Sequence, residues 1–291
     1  MKRHLMVTVS EDQSAMHGLR FVGYFFHDKQ EVKLTLFLTA PSPMPGTLDP
    51  QALTGSEETD NQLKLREQRS QSVIDKARDV LARAGFDPAQ VDSKLVFSRR
   101  SKATDIIQEA ERGLYDAAVL GRRGISWLEE ELGESVSRGL LEETLSFPFW
   151  VCRKPEAERR NVLLCVDGSP PSLRMADHVG FMLATQPAHE VTLFRIVRPD
   201  AAVSKDAEAI VEDCRHILLD NGVTAERITS KVVHESNVAH SIMRMVEHGR
   251  YAVVAIGRTG AGGGLLKRLF MGSASSILFR ELTGAVLWVC H

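Results

Sequence analysis

The sequence predicts an α/β protein built from two tandem copies of one strand-and-helix unit. Short apolar runs rich in β-branched residues alternate with longer amphipathic segments at helical spacing. Strands that alternate with helices predict a parallel sheet with right-handed crossovers and helices on both faces. The same succession occurs twice along the chain, and 291 residues are enough for two domains of ordinary size.

The first copy is predicted to contain five strands and four helices. The strands are expected at residues 4–10, 32–38, 91–97, 116–120 and 149–152. The helices are expected at residues 14–27, 61–85, 104–111 and 127–143. Gly85 ends the second of these helices, where glycine is a common C-cap. Proline, glycine and polar residues between 41 and 61 predict a long loop.

A short charged segment separates the two copies. Residues 154–160 contain one proline and almost no apolar side chains, which predicts a linker between a first domain at 1–153 and a second at 161–291. The strands of the second domain are expected at residues 162–166, 190–197, 228–233, 252–256 and 285–290. Its first three helices are expected at residues 172–183, 206–221 and 238–248, and a last helix is expected to include the amphipathic run at 277–282.

The two copies align with each other by residue type. Residues 7–10, Val-Thr-Val-Ser, align with residues 164–167, Leu-Cys-Val-Asp, at an offset of 157. Residues 120–124, Leu-Gly-Arg-Arg-Gly, align with residues 256–260, Ile-Gly-Arg-Thr-Gly, at an offset of 136. The offsets differ by 21, about the length of the extra loop after Pro41 in the first copy. One βαβαβαβαβ unit therefore occurs twice.

Composition and charge argue against several classes of function. The formal net charge of −2 gives no overall attraction to nucleic acid or to an anionic membrane. Only 3 Trp and 3 Tyr are present, too few for a surface on which bases stack. No apolar run approaches the roughly 18 residues of a membrane span, and charges come too early for a signal peptide. We therefore expect a cytoplasmic protein without nucleic-acid or membrane partners.

The four cysteines are expected to be free thiols. They form no Cys-x2-Cys pair, and three of them lie within apolar runs predicted to be strands: Cys152, Cys165 and Cys290. Buried, reduced thiols fit the cytoplasm, where disulfides are rare. A redox function is the less favoured alternative.

A glycine-rich stretch at residues 257–276 carries the candidate site. It lies between an apolar run at 251–256 and an amphipathic run at 277–282, which places it between the fourth strand and the last helix of the second domain. Glycines permit positive φ and a close approach to a ligand. Gly272 and Ser273 stand where a helix should begin, and the free N–H groups at such a position suit a phosphate. A flexible turn is the alternative interpretation.

Asp167 follows the first strand of the second domain and faces the glycine-rich stretch in the predicted topology. Ligands of doubly wound sheets bind beyond the carboxyl ends of the strands, where the strand order reverses. A carboxylate accepts two hydrogen bonds from vicinal hydroxyls, so it suits a ribose or the exocyclic edge of adenine. A turn residue or a helix N-cap is the alternative for the Asp-Gly-Ser sequence. The two features together predict a nucleotide-shaped site.

These motifs resemble those of the universal stress protein family. The matching residues are Val-Asp-Gly-Ser at 166–169, Gly-x2-Gly at 257–260 and Gly-Ser at 272–273, and the Pro-containing run at 145–152 resembles the closing strand of the family. The resemblance covers nearly the whole chain as two tandem domains. It implies an adenine nucleotide alpha hydrolase-like fold, with a five-stranded parallel sheet of order 3-2-1-4-5 in each domain. It also implies that the fifth strands pack together as in a dimer.

The resemblance further implies that the second domain binds ATP or another adenine nucleotide, whose phosphates could carry Mg²⁺. Asp167 would hold the ribose or the adenine. Four side chains would line the base pocket: Cys165, Val166, Ile196 and Ile256. The phosphates would be held by glycines, by a serine and by one further backbone N–H: Gly257, Gly260, Gly272, Ser273 and Ala274.

Both domains depart from the family motif Gly-x2-Gly-x9-Gly-Ser/Thr. In the second domain eleven residues, with a glycine run among them, separate Gly260 from Gly272. In the first domain Ser10 stands at the position of Asp167, and Glu134 would repel a phosphate. We therefore expect the first domain to be the weaker site or no site, and to serve as a structural partner of the second.

Three functions remain open at this point. The first is a nucleotide-binding regulatory protein of the stress response, whose ligand state controls dimerisation or partners. The second is a slow ATPase or a nucleotide-dependent phosphotransfer enzyme, although no general base or metal-ligand spacing lies beside the glycine-rich stretch. The third is an interaction scaffold without a nucleotide. The domains could pair within one chain, and two chains could also join as a homodimer.

Overall fold

The first half of the chain forms five strands and, in its described part, three helices. A computed structural model describes residues 2–12, 15–41, 57–98, 101–121, 147–197, 199, 207–257 and 273–290. The strands are β1 (Arg3–Thr8), β2 (Val32–Pro41), β3 (Val91–Ser98), β4 (Ala117–Gly121) and β5 (Phe149–Cys152). The helices are α1 (Met16–Phe25), α2 (Glu57–Arg83) and α3 (Lys102–Arg112). The helix predicted at 127–143 lies outside the described residues.

The second half repeats this order of elements. Its strands are β6 (Arg160–Cys165), β7 (Val191–Val197), β8 (Ile228–His234), β9 (Tyr251–Gly257) and β10 (Val286–Cys290). Its helices are α4 (Pro170–Leu183), α5 (Ala207–Asp220), α6 (Val238–Gly249) and α7 (Ser273–Glu281). The predicted elements of this half are thus confirmed to within a few residues at their ends. The last helix begins at Ser273, where the sequence predicted a helix start, and it includes most of the amphipathic run.

The ten strands form one sheet in the order β3-β2-β1-β4-β5-β10-β9-β6-β7-β8. Each half therefore has the order 3-2-1-4-5 that the family resemblance implied. All neighbouring strands are parallel except β5 and β10. Side chains of α1, α2, α4 and α5 pack on one face, and those of α3, α6 and α7 on the other. The strand order reverses at β1 and at β6, which are the two switch points.

The two halves meet through their fifth strands inside a single chain. β5 and β10 pair antiparallel, with Trp150 opposite Trp288. The two indoles are stacked, with ring centroids 4.0 Å apart and planes 5° apart. The dimer-like pairing implied by the resemblance thus takes place within one chain.

A second part of the joint lies between the end of α1 and the end of α4. The side-chain oxygen of Gln186 accepts the backbone N–H groups of His27 and Asp28, at 2.8 and 3.1 Å. His189 forms a 2.6 Å hydrogen bond with the carbonyl of Phe25 and stacks on its ring at 4.2 Å. These contacts join residues more than 150 positions apart, so the joint is a packed core.

The predicted linker at 154–160 is held against the second half. Arg159 is only 3% exposed, and its guanidinium donates to the carboxylates of Glu156 and Glu247. Arg160, the last residue of the predicted linker, already belongs to β6. Among the residues described, no helix is long and apolar enough to cross a membrane.

Candidate functional site

The switch point of the second half lies between the carboxyl ends of β6 and β9. Cys165 at the end of β6 is paired with Ile256 on β9 and with Phe194 on β7. The backbone N–H of Val166 continues the ladder by donating to the carbonyl of Phe194 at 3.0 Å. Gly257 ends β9 beside Cys290 of β10. The structure therefore brings the predicted sugar-binding turn and the start of the predicted phosphate loop to one edge of the sheet.

Asp167 forms a side-chain turn at this edge. Its Oδ1 accepts the backbone N–H and the hydroxyl of Ser169, at 2.9 and 2.6 Å. Its own N–H donates to the hydroxyl of Ser172 at 3.2 Å. The carboxylate is exposed, and among the described residues Oδ2 accepts no hydrogen bond. One oxygen therefore fixes the turn, and the other is available to a ligand.

The helix cap belongs to Ser169 and not to Asp167. The hydroxyl of Ser169 accepts the N–H of Ser172 in the first turn of α4. Gly168, between Asp167 and Ser169, has a φ of +81°, and a Cβ on it would lie 2.9 Å from the side chain of Ile210. The Asp-Gly-Ser sequence is thus fully explained as a turn that starts a helix, and this turn also fixes the position of the free carboxylate oxygen.

Gly257 is required by packing, whatever the loop after it binds. A Cβ on Gly257 would lie 2.3 Å from the backbone nitrogen of Ser172 and 2.4 Å from the carbonyl carbon of Pro171. Its counterpart in the first half, Gly121, is constrained in the same way, because a Cβ on Gly121 would lie 2.6 Å from the carbonyl oxygen of Ala15. The first glycine of each predicted loop lets the helix after the first strand pack onto the fourth strand.

Three of the four side chains predicted to line a base pocket lie on one face of the sheet. Cys165, Ile196 and Ile256 pack against the core cluster that contains α6 and α7. The side chain of Val166 instead belongs to the core on the opposite face and is 3% exposed. Neighbouring residues of an extended chain point to opposite faces, which explains the separation. Val166 could therefore meet a base on the Cys165 face only through its backbone.

The thiol of Cys165 belongs to the apolar surface at this end of the sheet. Burial, with the charge of Asp167 as a second cause, raises the pKa of Cys165 to about 12. The protonated thiol is therefore favoured over the more reactive thiolate. All four cysteines are free, as the sequence predicted.

The predicted phosphate-binding residues are only partly within the described chain. Gly260 and Gly272 lie outside it, as do Gly124, Gly133 and Glu134 of the first half. Ser273 begins α7, and Ala274 lies in its first turn, so a helix does start at the predicted position. The first turn of a helix has backbone N–H groups without intrahelical partners, which suit an anion.

Arg195 is a residue of the site that belongs to none of the sequence motifs described above. Arg195 lies between Phe194 and Ile196 near the end of β7, and its guanidinium donates to the carbonyl of Val166 at 3.4 Å. The contact holds the chain just before the Asp167 turn. A charged residue within a largely apolar strand is the sequence signal that could have indicated it. In the described chain, no group of three or more His, Cys, Asp or Glu residues could hold a metal ion.

Comparison with known proteins was made on the sequence and on the fold. The sequence model of the universal stress protein family matches residues 1–153 and 158–289. No curated protein sequence matches the chain at a significant level. A protein of unknown function from Pseudomonas aeruginosa PAO1, PA1789, is similar in fold, with a TM-score of 0.50, 15% identity, and coverage of 99% of this chain and 92% of that one.

Two further solved structures match about half of the chain. A universal stress protein in complex with cAMP is 19% identical and covers 45% of this chain and 96% of its own, with a TM-score of 0.38. A universal stress protein family protein from Arabidopsis thaliana, At3g01520, with AMP bound, is 12% identical and covers 54% of this chain and 94% of its own, with a TM-score of 0.33.

Proposed function

Because the chain belongs to the universal stress protein family, with a family match in each half, we propose that it binds ATP or another adenine nucleotide in its second half. The observation that carries the proposal is the exposed side chain of Asp167, held by the Ser169 turn next to the paired residues Cys165 and Ile256. A carboxylate next to an apolar wall at the switch point suits a ribose joined to a flat base. The proposed role is regulatory and belongs to a stress response.

The parts of the nucleotide are assigned to different elements. Asp167 holds the ribose, and three side chains face the base from one side of the sheet: Cys165, Ile196 and Ile256. The phosphates lie towards the loop after β9 and the start of α7. The residues proposed for them are Gly257, Gly260, Gly272, Ser273 and Ala274. Mg²⁺ would accompany the phosphates as part of the ligand.

The two halves have unequal parts in this proposal. The domain at 161–291 binds the nucleotide, and the domain at 1–153 supports it through the shared sheet. Ser10 replaces the carboxylate in the first half, which removes the proposed ribose acceptor there. The protein acts in the cytoplasm, and since the fifth strands are already paired, a homodimer would form through another surface.

The first experiment identifies whatever the purified protein carries. The full chain is denatured, and the released small molecules are analysed by mass spectrometry. Recovery of an adenine nucleotide from the unchanged protein, with less recovered from Asp167→Asn, supports the proposal. The asparagine keeps an oxygen for both Ser169 donors, so the turn is retained while the charge is removed. Asp220→Asn, an exposed aspartate at the end of α5, is the matched control.

Gly257 is not suitable for testing this site. Any side chain there would collide with the first turn of α4, so a loss of binding could result from a displaced helix. ATP hydrolysis measured in the same preparations separates a binding protein from a slow ATPase. A well-folded protein that carries no nucleotide and binds none would favour the interaction scaffold.

A further inference from the structure

The first half contains a groove between the end of β1 and one face of α2, here called the basic groove. Its volume is about 290 Å³. Its polar lining consists of Ser10, Glu11, Arg69, Ser72 and Lys76. Met16 and Val73 form its apolar floor. The groove uses none of the residues proposed above to bind a nucleotide.

The two cations of the basic groove lie along one helix face. Arg69 and Lys76 are seven residues apart on α2, which at 1.5 Å per residue separates them by about 10 Å. Ser72 lies between them on the same face. Neither cation forms an ion pair or a side-chain hydrogen bond with any other described residue. Two basic side chains at one concave site, without a carboxylate partner in the described part of the chain, favour an anionic ligand.

The end of β1 adds groups that can recognise hydroxyls. Ser10 is 8% exposed, and its hydroxyl oxygen accepts the N–H of Asp12 at 3.3 Å. The hydroxyl proton of Ser10 remains available to an oxygen of a ligand. Glu11 is exposed at the same site and can accept a hydrogen bond from a ligand hydroxyl. The single carboxylate lowers the positive charge of the groove without cancelling it.

The internal repeat supplies a comparison for the basic groove. Gly85 and Gly222 end α2 and α5 with φ of +90° and +93°, which aligns the two helices at an offset of 137. At this offset Val73 corresponds to Ile210, and both pack on the same core. The two helices are therefore equivalent in structure, and residues at this spacing face equivalent places.

The charge of this helix face is reversed between the halves. Lys76 corresponds to Asp213 of α5, so a basic side chain of the first half is replaced there by an acidic one. Residues 70–83 of α2 contain three basic and two acidic side chains, whereas the aligned residues 207–220 of α5 contain one basic and four acidic. The positive charge is thus a property of the first half alone and does not follow from the fold.

We propose that the basic groove binds a phosphorylated small molecule that also bears hydroxyl groups, such as a sugar phosphate. Arg69 binds the phosphate with its planar fork of N–H donors, and Lys76 and Ser72 complete the contacts. Ser10 and Glu11 contact the hydroxyls. A concave site of this size accommodates a small molecule, and the carboxylate of Glu11 disfavours a polyanion such as nucleic acid.

The test uses the full chain and ribose 5-phosphate as the probe, titrated by calorimetry. We expect saturable binding to the unchanged protein, weakened roughly tenfold or more in the double variant Arg69→Gln/Lys76→Gln. The control is Lys64→Gln/Arg78→Gln, which removes the same charge from α2 outside the groove and should change affinity by less than about twofold. Glutamine is a good helix former, so α2 is retained in both variants.

Two further titrations test whether the binding occurs at the basic groove rather than at the nucleotide site, and whether it requires the phosphate. In an Asp167→Asn background, the groove double variant should still bind ribose 5-phosphate more weakly than the control double variant does, and ribose without phosphate should not bind. The inference is overturned if the unchanged protein does not bind ribose 5-phosphate, or if the groove variant binds it as well as the control. It is also overturned if the groove and control variants bind ribose 5-phosphate equally well in the Asp167→Asn background, or if ribose binds as well as ribose 5-phosphate.

Discussion

The Nε1–H of Trp150 donates to Nε2 of His178 at 3.1 Å, whereas Nε1 of Trp288, on which Trp150 stacks, has no partner among the described residues. Both indoles are fully buried at the joint between the halves. The two residues occupy equivalent strands of the repeat, but Trp150 contacts the rings of Phe21 and Phe26, whereas Trp288 contacts that of Phe25. The joint is thus asymmetric in its ring contacts and in its polar contacts.

This asymmetry predicts different costs for the same substitution. Trp150→Phe leaves the buried Nε2 of His178 without its donor, and Trp288→Phe removes a donor that has no partner. We expect Trp150→Phe to lower the free energy of unfolding by about 1–3 kcal/mol more than Trp288→Phe does. Urea denaturation of the two variants measures the difference. Equal losses would show that the hydrogen bond to His178 does not stabilise the joint.

The two buried histidines of the joint predict that acid destabilises the protein. Burial lowers the pKa of His178 to about 3 and is the main cause that lowers the pKa of His189 to about 4. The unfolded chain has a histidine pKa of about 6.5, so it binds more protons than the native state between these values. The stabilisation is present above about pH 6.5 and is lost as the pH falls.

Denaturation at two pH values tests this prediction. At about pH 5 each histidine should cost up to roughly 2 kcal/mol of the stability measured at about pH 7.5. His189→Gln should reduce the pH dependence, whereas His234→Gln, at an exposed position at the end of β8, should leave it unchanged. A pH dependence that is the same in both variants would contradict the account of His189.

The equivalent glycines of the two halves, Gly121 and Gly257, predict similar losses of stability when a side chain is added. Gly257→Ala and Gly121→Ala should each lower the free energy of unfolding by about 1–3 kcal/mol, because the added methyl group meets the backbone at the start of a helix in both cases. Thermal unfolding compares the two variants. If Gly121→Ala were neutral and only Gly257→Ala were destabilising, the equivalence of the two packing contacts would be wrong.

Much of the fold could be predicted because its signals are local and repeated. Each half alternates strand and helix patterns, and the alignment of motifs in the first half with motifs in the second showed the repeat. The resemblance to the family supplied the strand order, which the structure confirms. What remained open was whether the fifth strands pair within the chain, because the composition of a strand does not identify its partner.

The candidate site was predictable in position more than in detail. Asp167 and Gly257 lie at the expected edge, but the turn closed by Ser169 and the packing of Gly257 on α4 depend on side-chain geometry. The side chains of Cys165 and Val166 point to opposite faces because residues alternate along a strand. The prediction that both side chains line one base pocket did not take this alternation into account. The basic groove joins β1 to a helix about 60 residues later, so no local pattern could have predicted it.

Equilibrium titration of nucleotide-free protein with ATP, ADP, AMP and cAMP tests the central proposal most directly. The account predicts that at least one of these ligands binds saturably, with one strong site per chain, and that Asp167→Asn weakens it by roughly tenfold or more while Asp220→Asn does not. Absence of binding by all four to well-folded protein, or binding that Asp167→Asn leaves unchanged, would contradict the assignment of the nucleotide site to the carboxyl ends of β6 and β9.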